Sequence, residues 1–184
     1  HFLGLGIPCL VEKPLAASAA EARAMCELAE AHQALLQVGH IERFNPALRA
    51  VARRITEPRF LEAVRVAPYP FRATDVGVVL DLMIHDLEII MSLVKREIRD
   101  VRAWATPVFS ESEDLAAAWI EFEGGACAQL KAVRTALRTE RRLRAYQSDA
   151  YFEIDFMERT ATIVRRDERV AAGDVVPGDI TPDD

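Results

Sequence analysis

Asp81 and His85 stand four residues apart in GVVLDLMIHDLEIIMSLV, residues 77–94 of this 184-residue chain. At about 100° per residue, Asp81, His85, Glu88 and Ser92 fall within roughly 60° of one another. The remaining circumference is almost entirely Val, Leu, Ile and Met. A carboxylate and an imidazole at i and i+4 share one helix face, so they can aim at one small molecule. An imidazole takes or gives a proton near neutral pH, and a neighbouring ammonium favours negative charge developing on a substrate oxygen. Lys13 supplies such an ammonium. It is one of three lysines among 23 Lys and Arg residues, and it precedes Pro14 at the end of an apolar run. Where arginine is the usual cation, a lysine is wanted for its compact head and shiftable pKa.

Each of these residues also has a plainer reading. The polar stripe is also what the wet side of an amphipathic helix looks like, although such sides are usually broader and richer in long charged chains. His85 alone reads equally as a hydrogen-bonded structural histidine, Asp81 as its brace or an arginine's partner, and Lys13 as a solvated loop cation. His40, after a short strand and Gly39, reads as a packing residue. Asp86 lies well round the helix from Asp81 and His85 and is left out of the site.

The positioning elements can be read in order. IPCLV (7–11) reads as a buried strand, ended by Pro14, which removes a backbone donor and holds Lys13 extended. Ser18 with Glu21 three residues on forms a capping box, and Ala22, Met25, Cys26, Leu28 and Ala29 supply the apolar side of the helix it opens. Residues 35–38 read as a second buried strand, so β-α-β order with about 20 intervening residues predicts a parallel crossover. Asn45 caps and Pro46 starts a helix running to about Ile55. From Phe60 onward the pattern alternates, with strands predicted over 61–66, 101–105, 115–123, 126–134, 141–147, 151–157 and 160–165, joined mostly as antiparallel hairpins. The fold class is therefore α/β, with α+β character in the second part: the end of a parallel sheet over residues 1–40, then a domain over residues 41–184 with a large, mostly antiparallel open sheet carrying the central helix.

Composition sets outer limits. Hydrophobic residues make up 51% and charged residues 28%, which suits a folded protein. A net charge of -6 argues against a phosphate-backbone footprint, and no nucleic-acid partner is expected. The arginines at 138, 141, 142 and 144 read as a strand face or partner surface. Three scattered cysteines form no CxxC pair, which argues against a disulfide framework or zinc knuckle and for a reducing compartment. No apolar run reaches membrane-spanning length, so no membrane partner is expected and a cytoplasmic location is. Gly4-Leu5-Gly6 lacks the third glycine and the preceding strand of a dinucleotide fingerprint. Asp81, His85 and His40 as metal ligands give a rival hydrolase reading, but no HxH or HExxH pattern supports it and no metal is expected.

LVEKPLA, VGHIERFNP and GVVLDLMIHDLEI, in that order and spacing, resemble the Gfo/Idh/MocA oxidoreductases, relatives of glucose-fructose oxidoreductase and inositol dehydrogenase. The resemblance covers nearly the whole chain. It implies an N-terminal Rossmann domain for NAD or NADP, of which only the last βαβ is present here, and a substrate domain whose open sheet often joins subunits into dimers or tetramers. It also implies that roughly a hundred residues lie upstream, at about 30 per βαβ unit, and that the chain alone binds NAD poorly. By that resemblance Glu12, Lys13 and Pro14 border the nicotinamide, Lys13 and His85 are catalytic, Asp81 binds sugar hydroxyls, and Arg43 and Asn45 border the substrate cleft. The expected reaction is hydride transfer between the nicotinamide and a secondary hydroxyl of a sugar or sugar nucleotide. VGHIERFNPA (38–47) and RLRAYQSDAYFEIDF (142–156) are most similar to members acting on nucleotide sugars, such as UDP-N-acetylglucosamine 3-dehydrogenases. Alternatives are an inositol or free-sugar dehydrogenase of the same family and a non-catalytic sugar-binding module of the same fold.

Overall fold

The computed structural model describes residues 1–71, 76–167, 169 and 172. Strand β1 (Cys9–Val11) and strand β2 (Leu36–Val38) pair in parallel, with Cys9 opposite Leu36 and Val11 opposite Val38. Helix α1 (Ala19–Ala31) makes the crossover between them. Its start is the capping box the sequence predicts: the Glu21 amide donates to Ser18 Oγ at 3.2 Å, and the Ser18 amide donates to Glu21 Oε2 at 3.1 Å. The expected burial of this unit is not found. Leu10 is 76% and Leu35 66% exposed, and Ala29 is the one buried residue of α1. A two-stranded sheet with one helix offers too little second layer to cover them.

Helix α2 (Pro46–Val51) continues into a 3₁₀ turn (Ala52–Arg54), as Asn45-Pro46 predicts. Strand β3 (Phe60–Val66) then enters a seven-stranded sheet with β4 (Ile98–Thr106), β5 (Leu115–Phe122), β6 (Cys127–Val133), β7 (Glu140–Tyr146), β8 (Ala150–Asp155) and β9 (Thr160–Arg165). The strand order is β4-β5-β6-β3-β7-β8-β9. All pairs are antiparallel except β3 with β6, a central parallel pair with Leu61 opposite Ala128. Each hairpin is legible in the alternating pattern but this insertion of β3 is not, because periodicity reports a strand's type and not its neighbour. At the β5–β6 turn, Gly124 and Gly125 take φ of 85° and 88°, backbone that a side chain disfavours.

One sheet face carries the core. Leu61 and Ala63 of β3, Ala128 and Leu130 of β6, Leu143 and Ala145 of β7, and Phe152 and Ile154 of β8 alternate onto it. The central helix packs over these residues as a π-helical turn (Val79–Met83) running into helix α3 (Ile84–Val94). Met83, Ile89, Ile90, Leu93 and Val94 are buried, whereas Leu80 and Met91 are 38% and 53% exposed, so the helix is less enclosed than its composition predicts. Just before it, the Glu113 carboxylate lies against Gly77, where a Cβ would fall 1.9 Å from Oε1 and displace that side chain. In the loop after β4, fully buried Asp114 accepts the amides of Val108, Phe109 and Ser110 and the Arg134 guanidinium. Burial opposes that charge, but the Ser110 hydroxyl, the amides and Arg134 outweigh it and hold the carboxyl well below the usual range. No described helix is long and apolar enough to cross a membrane.

Candidate active site

The parallel register sets the ends of β1 and β2 side by side, so Glu12-Lys13-Pro14 and Gly39-His40 share the carboxyl edge of the small sheet. Ligands bind at that edge in parallel α/β sheets. The Gly39 amide donates to Val11 O at 2.8 Å, and a Cβ on Gly39 would lie 3.1 Å from Glu12 Oε2, so the glycine lets the Glu12 carboxylate lie against the second strand's end. The Lys13–Pro14 peptide bond is cis.

Lys13 reaches from this edge to the central helix. Its Nζ donates to the Asp81 carbonyl at 2.6 Å and to Asp81 Oδ1 at 3.2 Å, across 68 residues of sequence. Asp81 lies within the π-helical turn, a local widening that often marks functional sites. Its side chain is 42% exposed, which keeps the carboxylate open to a ligand. His85 follows one turn later in α3.

His85 is held neutral. Burial pushes its pKa down to about 4, helped by the Arg65 guanidinium and then by the Lys13 ammonium. Glu42 pulls the other way, and Arg141 adds a smaller downward push. Its Nδ1 is buried with no hydrogen-bond partner among the described residues, and so is His40 Nδ1. Unpaired buried polar atoms are uncommon and mark places where a ligand completes the set.

The strongest charged feature behind His85 involves residues that sequence reasoning passed over. Arg65, 1% exposed, donates from Nε to Asp86 Oδ2 at 3.0 Å and from Nη2 to Asp86 Oδ1 at 2.8 Å, a bidentate pair. Its Nη1 reaches Glu42 Oε1 at 3.3 Å. Burial opposes the Arg65 charge, but Asp86 and Glu42 raise its pKa above the usual arginine value. The signal was present in LEAVRV, where Arg65 falls in phase with Leu61 and Ala63.

Arg43 Nη2 pairs with Glu88 Oε1 at 2.8 Å, which places Arg43 on the polar stripe and gives Glu88 a partner. Ser92 Oγ donates back to the Ile89 carbonyl at 2.7 Å and is satisfied within its own helix. Asn45 uses both ends of its amide locally: Oδ1 accepts the Ala47 amide and Nδ2 donates to Phe156 O, each at 3.1 Å. Lys13, Asp81 and His85 are thus brought together, Arg43 stands further along the same stripe, and Asn45 is a helix cap. Among the described residues no three His, Cys, Asp or Glu side chains group as a metal requires.

Comparison with known proteins identifies the family. Residues 50–153 match the GFO/IDH/MocA C-terminal domain, and residues 1–40 match the oxidoreductase family, NAD-binding Rossmann fold. The chain is 36% identical over 174 residues to the UDP-N-acetylglucosamine 3-dehydrogenase of Acidithiobacillus ferrooxidans, covering 94% of this chain and 55% of that protein. It is 31% identical over 146 residues to the scyllo-inositol 2-dehydrogenase (NAD(+)) of Bacillus subtilis, covering 71% and 43% respectively. A solved structure of the Acidithiobacillus dehydrogenase matches with a TM-score of 0.83 at 37% identity, over 88% of this chain and 54% of that one. An inositol dehydrogenase homolog from Azotobacter vinelandii, complexed with NADH and myo-inositol, shares the fold with a TM-score of 0.78 at 20% identity, over 90% and 51%. The chain spans about half the length of the curated relatives it matches. With a family model covering more than half of it, the chain belongs to the Gfo/Idh/MocA oxidoreductases.

Proposed function

We propose that this chain forms the substrate side of an NAD(P)-dependent dehydrogenase that oxidises a secondary hydroxyl of a sugar nucleotide, the C3 hydroxyl of UDP-N-acetylglucosamine being the preferred candidate. The observation that carries the reading is the convergence of Lys13, Asp81 and a neutral His85 at one sheet edge. The nicotinamide, bordered by Glu12, Lys13 and Pro14, supplies the hydride acceptor. The orphaned buried nitrogens of His40 and His85 at this edge suit a site completed by bound groups.

In this reading Asp81 Oδ2, the carboxylate oxygen that Lys13 does not engage, accepts a sugar hydroxyl. Lys13 Nζ donates to the reacting oxygen and stabilises the alkoxide charge as the proton departs. His85, on the same helix as Asp81, takes that proton on the unprotonated nitrogen of its imidazole. An imidazole whose pKa is lowered to about 4 is unprotonated at neutral pH and so available as a base. Arg43 and Asn45 are assigned to the border of the substrate cleft. The remaining parts of the reading are a cytoplasmic enzyme and a homo-oligomer joined through the open face of the seven-stranded sheet. Trp119, Phe60, Tyr146 and Tyr151 form an aromatic row on that face, with ring centroids 5.0 to 5.7 Å apart.

The name of the 36% identical relative supports UDP-N-acetylglucosamine, and that of the 31% identical relative supports a second reading with an inositol as substrate. A protein carrying this chain behind its complete Rossmann domain decides between them. Given NAD or NADP and each candidate in turn, nicotinamide absorbance should rise with UDP-N-acetylglucosamine and not with scyllo- or myo-inositol. The reverse order would establish the inositol reading, and no reduction with any of them would refute both.

A further inference from the structure

Beside the His85 site lies a cavity of about 490 Å³, within the usual range for small-ligand pockets. Lys13, Asp81 and His85 do not line it. Its walls come from the 3₁₀ turn (Ile41–Phe44), the start of β7 and the β8–β9 turn, and they include Glu42, Phe44, Arg141, Phe156 and Arg159. Glu42 lines the cavity and accepts from Arg65, whose other nitrogens hold Asp86, the residue after His85, so the cavity and the site adjoin.

Its charges do not balance. Arg141 and Arg65 face each other in register on neighbouring strands and share one carboxylate, Glu42, at 3.5 and 3.3 Å. Arg159 has no carboxylate partner among the described residues. Among the charged residues that line it, Arg141 and Arg159 outnumber Glu42 by one, in a chain of net charge -6. An uncharged polyol needs no such surplus, whereas a phosphate does, and guanidinium is the group suited to binding it through paired donors. At the rim, Phe44 and Ile41 are each 67% exposed. An exposed aromatic face beside arginines is what a stacked base requires.

We infer that this cavity seats the nucleoside diphosphate of the substrate, with Arg141 and Arg159 on the diphosphate and Phe44 against the base, leaving the sugar to reach Asp81 and His85. The inference deepens the sugar-nucleotide reading above and rests on it. A diphosphate joined to a base is also present in the nicotinamide cofactor, so the two sources are tested separately.

Calorimetric titration of the protein carrying this chain behind its complete Rossmann domain, with UDP alone, is the direct experiment, repeated with uridine and with NADH as a competitor. UDP should bind, uridine much more weakly, and NADH should not displace UDP. Arg159→Ser lies in an exposed turn and Arg141→Gln keeps a polar side chain at a part-exposed position, so both should melt like the parent. Each should weaken UDP by on the order of tenfold, the value of one charge-assisted hydrogen bond. Absence of UDP binding, UDP affinity unmoved by either replacement, or arginine-dependent displacement by NADH would each overturn the assignment. The two readings fail separately. Oxidation of UDP-N-acetylglucosamine with KM unchanged in Arg159→Ser would sink the cavity assignment alone. Arginine-dependent UDP binding without hydride transfer would sink the dehydrogenase alone.

Discussion

Replacing His85 by Ala in the intact enzyme lowers kcat by about 10²- to 10⁴-fold, the usual worth of a positioned general base, while the affinity for the nicotinamide cofactor stays close to the parent's. The asymmetry follows from placement. His85 belongs to α3 over the seven-stranded sheet, whereas the cofactor's proposed neighbours Glu12, Lys13 and Pro14 follow β1 of the small sheet. Losing the imidazole removes the proton acceptor without touching that edge. In the proposed mechanism Lys13 Nζ still stabilises the alkoxide, so the loss should stop short of the uncatalysed rate. Steady-state kinetics with a cofactor titration measures both quantities. Turnover unchanged in the variant would remove His85 from the chemistry.

Replacing Arg65 by Ala destabilises the fold by about 3–5 kcal/mol, because it leaves Asp86, 3% exposed, as a buried carboxylate without its bidentate partner. Against a total stability of roughly 5–15 kcal/mol, that loss is enough to bring the protein close to unfolding. The double replacement Arg65→Met with Asp86→Leu removes both charges and keeps the volume, and it should recover most of the stability. It also takes the Arg65 charge away from His85, so the histidine's pKa should rise in the double variant, which titration of the ring by NMR can follow. Denaturant melts of the two variants separate the effects. A single variant as stable as its parent would mean that the pair contributes nothing.

Much of this site was legible in the chain itself. Lys13 before a proline, and Asp81 with His85 one helical turn apart, are local patterns, and local patterns survive into structure. The Ser18–Glu21 capping box and the hairpin strands from β4 onward are of the same kind. What could not be read depends on which element lies beside which. The parallel pairing of β3 with β6 brings together residues more than sixty positions apart, and no local period encodes it. The same is true of Arg65 finding Asp86, and of Glu42 bridging Arg65 and Arg141. Yet both partners of the buried pair carried a warning. Arg65 stood in phase with core residues, and Asp86 stood on the apolar side of its helix, away from the polar stripe. A charge that periodicity places inward requires a partner, and two such charges imply each other. Arg43 and Glu88 were each noticed separately, and their 2.8 Å contact shows that one explains the other.

In the proposed mechanism a neutral His85 beside Lys13 accepts the substrate proton. The pH dependence of kcat/KM in the intact enzyme tests it most directly. The base must be unprotonated to work, so activity is lost as pH falls through its pKa in the free enzyme. With that value lowered from 6.5 to about 4 by burial, Arg65 and Lys13, the rate should hold through pH 6 and decline only toward pH 4. In His85→Ala that acidic decline disappears from the small residual rate. A decline centred near pH 6.5, or one of the same midpoint persisting in His85→Ala, would contradict the account.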